Sequence, residues 1–156
     1  MKENHGCEAA LRSPAHITLI PPFWMDPALE EKIIEAITDF SETAQPIEIW
    51  LQDFANFKPR VIYVDVPVNA GLTSLKNNLS AFLAANKDFP LQEDGHPFTP
   101  HITIATRDLY KKAFYTAWEH FKSMQYQCEW KAEGISLLRH NKKNWDVIST
   151  SQFKIN

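Results

Sequence analysis

His16-Ile17-Thr18-Leu19 and His101-Ile102-Thr103-Ile104 are two copies of one pattern, His-apolar-Thr-apolar, set 85 positions apart. Each copy follows a proline closely (Pro14 and Pro100), and each opens a run with strand character, residues 16–20 and 101–106. Side chains alternate faces along a strand, so His and Thr at i and i+2 share one face and the apolar pair shares the other. Each copy therefore offers an imidazole and a hydroxyl to a polar surface while its reverse anchors a core. A single His-x-Thr reads as a structural strand-edge histidine bonded to backbone. Two copies in the same context read as one arrangement used twice. An internal two-fold relation would bring two imidazoles and two hydroxyls to one point.

Around these copies the chain alternates strands and helices. Pro21-Pro22 ends the first run, and Asp26-Pro27 supplies an N-cap followed by proline at the first helical position. Leu29, Ile33, Ala36, Ile37 and Phe40 then recur at helical spacing. Ile47, Ile49 and Leu51 alternate with Glu48, Trp50 and Gln52, and residues 60–66 are rich in β-branched and aromatic side chains, giving two strands. A second helix carries Leu72, Leu75, Leu79, Phe82 and Leu83 on one side. A third, starting near a cap at Asp108, turns Ala113, Phe114, Ala117, Trp118 and Phe121 inward. The tail predicts three strands, 126–132, 135–139 and 145–150, with residues 141–144 as the turn between the last two and His140 beside Trp145 across it. The first fifteen residues read as loose, with a helical turn near residues 8–12. The class is α+β with a largely antiparallel sheet.

Composition bounds the function. The 156 residues predict a single domain, 1–156, and 44% hydrophobic with 22% charged residues is the balance of an ordinary folded chain. The longest apolar runs, such as Val61-Ile62-Tyr63-Val64, are far too short to cross a bilayer, and no secretory leader opens the sequence. Cys7 and Cys128 make no metal-like or redox-like pair, so the expectation is a reduced cytoplasmic protein. With 16 Lys+Arg against 19 Asp+Glu, the net charge of -3 gives no basic field with which to wrap a DNA duplex or a long RNA. A single phosphate or an RNA terminus needs only a few local donors.

Two imidazoles and two hydroxyls suit a tetrahedral phosphate. A hydroxyl donates to a phosphate oxygen, and imidazole, with an ordinary pKa of about 6.5, gives or takes a proton near neutrality. In-line cleavage of a phosphodiester needs a base at the attacking oxygen and an acid at the departing one; one neutral and one protonated histidine meet that need with neither metal nor cofactor. Asp94, His96 and His101 match no zinc spacing, and Gly95 and Pro97 make their segment a turn, so no metal site is predicted. No Gly-x-Ser-x-Gly turn is present to support acyl transfer. Arg107, six residues after His101, is a candidate phosphate or nucleotide contact, and Phe57 and Phe23 are candidates for stacking a base. Tyr63 reads as core, and Lys58 and Arg60 as a solvated basic pair.

The motifs HITL and HITI, the run HITLIPPF and the stretch TPHITIATR resemble the two-histidine (2H) phosphoesterase superfamily. Within it the sequence is similar to the 2'-5' RNA ligase family, whose members include RNA 2',3'-cyclic phosphodiesterases. The resemblance runs from His16 to about Thr150. It implies a bilobal, pseudo-two-fold fold, two antiparallel sheets backed by helices around a central cleft. It also implies catalysis by His16 and His101, with Thr18 and Thr103 holding phosphate. The substrate would be a small cyclic nucleotide or an RNA terminus, opened at a 2',3'-cyclic phosphate or cut or joined at a 2'-5' linkage. A non-catalytic binder of RNA ends or nucleotides is the alternative use of the same cleft. Members carry an apolar strand and a helix before the first motif, where this sequence has fifteen polar-leaning residues, so the start reads as truncated or abridged. A missing first strand would leave a sheet edge or core face open and favour a homodimer.

Overall fold

The computed structural model describes residues 9–91 and 95–155. A 3-10 turn, Ala9–Arg12, opens the described chain and packs against the strand that carries the second motif. A second 3-10 turn, Pro27–Leu29, starts as the sequence predicts. Asp26 is its N-cap, its carboxylate accepting from the Ala28 N–H at 2.9 Å, and Pro27 follows at a position that needs no N–H. It runs into helix α1, Glu30–Ser41, whose first-turn Glu30 and Glu31 suit the positive end of the helix dipole. Ile33, Ile37 and Phe40 form its buried face.

Strand β1 (Ile47–Gln52) is followed by a short strand β2 (Phe54–Phe57), which the sequence reading did not foresee, and by β3 (Val61–Asp65). Helix α2, Ala70–Ala84, is capped by Asn69, whose side chain accepts from the Leu72 N–H at 2.9 Å and donates to the Glu48 carbonyl of β1 at 2.8 Å. One residue thus starts the helix and ties it to the sheet. Leu72, Leu75, Leu79 and Leu83 are buried, while Phe82, expected inside, is half-exposed against Phe40. Strand β4 (His101–Ala105), helix α3 (Lys111–Phe121) and strands β5 (Gln127–Ala132), β6 (Gly134–His140) and β7 (Trp145–Gln152) complete the chain. Gly134 begins β6 where a Cβ would lie 2.6 Å from the Ser151 carbonyl oxygen, so the close approach of β7 requires glycine there. His140 faces Trp145 across the hairpin, with ring centroids 5.0 Å apart.

The α+β class with antiparallel pairing is as expected. Among the described residues the strands form three sheets where two were anticipated: β1-β5, β2-β3-β4 and β6-β7. Buried apolar side chains gather in two clusters. The main one joins α1, α2, β1 and β3 with Phe89, Ile135 and Phe153, and the second joins Ile62, Ala105 and Leu109 to Phe114 and Ala117 of α3. A bulge in β4 lets one strand serve both. Ile62 pairs with Ala105 and Tyr63 with Thr103, so Ile104 is the extra residue, and it packs against both clusters.

Two expectations are corrected. Residues 16–20 are not a strand: no strand among the described residues pairs with them, and Pro21 and Pro22, which offer no N–H to a ladder, follow directly. Asp108 is not the cap of α3. Tyr110 holds that position without a side-chain bond, and the Asp108 carboxylate instead accepts from the Ala9 N–H at 2.9 Å, satisfying the first donor of the opening 3-10 turn.

Candidate active site

Strand β4 presents the second motif as its alternation requires. Ile102 packs on the main core, and His101 and Thr103 share the opposite face. Residues directly opposite in an antiparallel ladder also share a face, so Asp65, opposite His101, and Tyr63, opposite Thr103, join that surface. The first motif keeps the same alternation without a ladder. Ile17 and Leu19 are partly buried against the main core while His16 and Thr18 are exposed. Upstream of this segment the opening 3-10 turn packs on β4, and its Ala9 N–H donates to Asp108 in the loop that follows β4.

The two histidines are held alike. His16 Nδ1 lies 2.7 Å from the Pro14 carbonyl oxygen, and His101 Nδ1 lies 2.7 Å from that of Thr99, each two residues upstream. A carbonyl only accepts, so Nδ1 carries the hydrogen in both rings and the exchangeable position is Nε2. The backbone bond fixes the orientation of each ring. The hydroxyls of Thr18 and Thr103 have no hydrogen-bond partner among the described residues, which leaves both available to a ligand.

His101 sits in an aromatic corner. Phe57 and Tyr63 rings lie 5.1 and 4.9 Å from the imidazole, and 4.5 Å from each other. Phe57 is 42% exposed, so an apolar ring surface remains open beside the motif. Tyr63 is buried, as expected of core, yet its ring also supports His101, a role that required the β2-β3 hairpin to become visible. Burial, and then the nearby Asp65 charge, push the Tyr63 phenol above its ordinary range, so it stays a hydroxyl at neutral pH. Phe23 is partly buried and packs against the main core. Arg107 follows β4 at φ 50°, the left-handed region that non-glycine residues rarely occupy, with an exposed side chain free of protein partners among the described residues. Lys58 and Arg60 are exposed.

Asp94 of the discarded metal set lies outside the described residues, as does Cys7, and among the described residues no group of three or more His, Cys, Asp or Glu is placed to hold a metal. Two shallow depressions, of about 460 and 380 Å³, lie elsewhere and include no motif residue. No helix among the described residues is long and apolar enough to cross a membrane.

Comparison with known proteins identifies the family. The family model of the 2'-5' RNA ligase superfamily matches residues 1–144, and the chain belongs to that superfamily. It is 29% identical over 153 residues to "Putative phosphoesterase SH1944" of Staphylococcus haemolyticus, covering 96% of this chain and 86% of the relative. It is 28% identical over 139 residues to "Putative phosphoesterase SERP0604" of Staphylococcus epidermidis, covering 86% of this chain and 78% of the relative. The fold matches the crystal structure of TT0787 of Thermus thermophilus with a TM-score of 0.66 at 18% identity, over 89% of this chain and 78% of that one. Superfamily and relatives together support a phosphoesterase.

Proposed function

We propose that the protein hydrolyses a 2',3'-cyclic phosphate, or cuts or joins a 2'-5' phosphodiester, by acid–base catalysis between His16 and His101. The observation that carries this reading is the matched Nδ1–carbonyl bond at 2.7 Å in both histidines, which leaves Nε2 as the ring nitrogen not bound to backbone in each. In the cyclic-phosphate reaction one neutral imidazole takes a proton from water as the water oxygen bonds to phosphorus. The bond from phosphorus to one ribose oxygen breaks, and the other, protonated imidazole gives its proton to that oxygen. Atoms and charge balance without a metal. Thr18 and Thr103 donate to the phosphate oxygens, whose charge is greatest as the attacking bond forms. Phe57 supplies a face on which the base of a nucleotide rests. The net charge of -3 favours a small cyclic nucleotide or an RNA terminus over a duplex.

The test is a panel of 2',3'-cyclic mononucleotides and RNA ends bearing the same phosphate, incubated with purified protein in EDTA and resolved into 2'- and 3'-phosphate products. Turnover to one product isomer is expected. Binding of the cyclic nucleotide without turnover would overturn the catalytic reading and leave a nucleotide-binding protein.

A further inference from the structure

The β1-β5 ladder is two strands wide and its outer edge is bare among the described residues. The Asp53 N–H donates to the Tyr126 carbonyl at 2.7 Å, which fixes the parity of the ladder: Cys128, Trp130 and Ala132 turn their backbone groups toward β1. The outward bond from Asn69 to the Glu48 carbonyl, on the far side of β1, agrees with that parity. Gln127, Glu129 and Lys131 therefore aim their N–H and C=O groups at the open edge. Trp130 stands on the face that β1 uses for the core, yet it is 38% exposed, whereas its partner Ile49 is fully buried. Such an edge is a template for another strand.

We propose that β5 pairs antiparallel with β5 of a second copy of this chain about a two-fold axis at Trp130, making one four-stranded sheet. The charges choose this register. Centred on Trp130, Glu129 of each copy falls opposite Lys131 of the other, the four backbone groups that complete both pairs are the ones already facing outward, and the two Trp130 side chains cover each other. Centred on Glu129, the same strand would set two carboxylates face to face. The occupant that fits both sequence and parity is thus another β5, and the contact is isologous.

Sedimentation velocity over a range of concentrations tests this on the whole chain. The wild type is expected to show a monomer–dimer equilibrium. Glu129→Lys and Lys131→Glu should each raise the dissociation constant about tenfold or more, since each sets two like-charge pairs in place of two attractive ones. An equimolar mixture of the two variants should form the heterodimer in preference to either homodimer, because all four charges are then matched. That mixture also guards against misfolding, as a chain that fails to fold cannot rescue its partner. Wild type that stays monomeric throughout, variants that dimerise as tightly as wild type, or a mixture without heterodimer would each overturn the proposal.

Discussion

Thr103→Val separates function from folding at the proposed phosphate site. Valine fills nearly the same space and is at home in a strand, and the hydroxyl that it removes has no partner among the described residues. No internal hydrogen bond is lost, so stability should change by less than about 1 kcal/mol, a shift in melting temperature of roughly 2–4 °C. A hydrogen bond to a charged phosphate contributes about 1.5–3 kcal/mol. At about 1.4 kcal/mol per factor of ten, its loss lowers kcat/KM roughly 10- to 150-fold. The assay pairs thermal melting with initial rates on a 2',3'-cyclic nucleotide, and Thr18→Val belongs in the same series. A melting temperature lowered by ten degrees or more would make the hydroxyl structural. An unchanged rate with an unchanged melt would remove Thr103 from the site.

Further predictions follow from single contacts. Phe114→Ala, emptying a fully buried site in the second cluster, should cost about 3–5 kcal/mol in urea unfolding. Asn69→Ala removes both the α2 cap and the bond to β1, and should cost about 1–2 kcal/mol by the same measurement. Asp108→Ala removes the acceptor of the Ala9 N–H in the segment leading to His16, and kcat/KM on the same cyclic nucleotide should fall several-fold. Turnover needs one imidazole neutral and the other protonated, so kcat/KM measured from about pH 5 to 9 should fall on both sides of one optimum. A rate that keeps rising with pH would require a different acid.

The elements legible in the sequence are those whose signal is local. The Asp26-Pro27 start, the leucine spacing of α2 and the tail hairpin with its His140–Trp145 pair all follow from caps, periodicity and turn chemistry. The His-x-Thr alternation also reads correctly, because it depends on which side chains the core takes. What failed depends on partners far along the chain. Residues 16–20 have strand composition, but a strand exists only where another backbone completes its ladder. Asp108 has the composition of a cap, yet the donor it satisfies belongs to Ala9, 99 residues earlier. β2 is four residues of Phe-Ala-Asn-Phe without clean alternation, so the hairpin that sets Phe57 and Tyr63 against His101 left little trace in the pattern. Which carbonyls bond the two Nδ1 atoms, those of Pro14 and Thr99, is a matter of backbone geometry that residue types do not encode.

The most direct test is the rate of 2',3'-cyclic nucleotide hydrolysis by His16→Ala and His101→Ala, each shown folded by circular dichroism and assayed in EDTA beside the wild type. Loss of at least about 10²-fold in kcat/KM in each variant is the predicted result. Wild-type turnover in either one would contradict the shared role assigned to the two imidazoles.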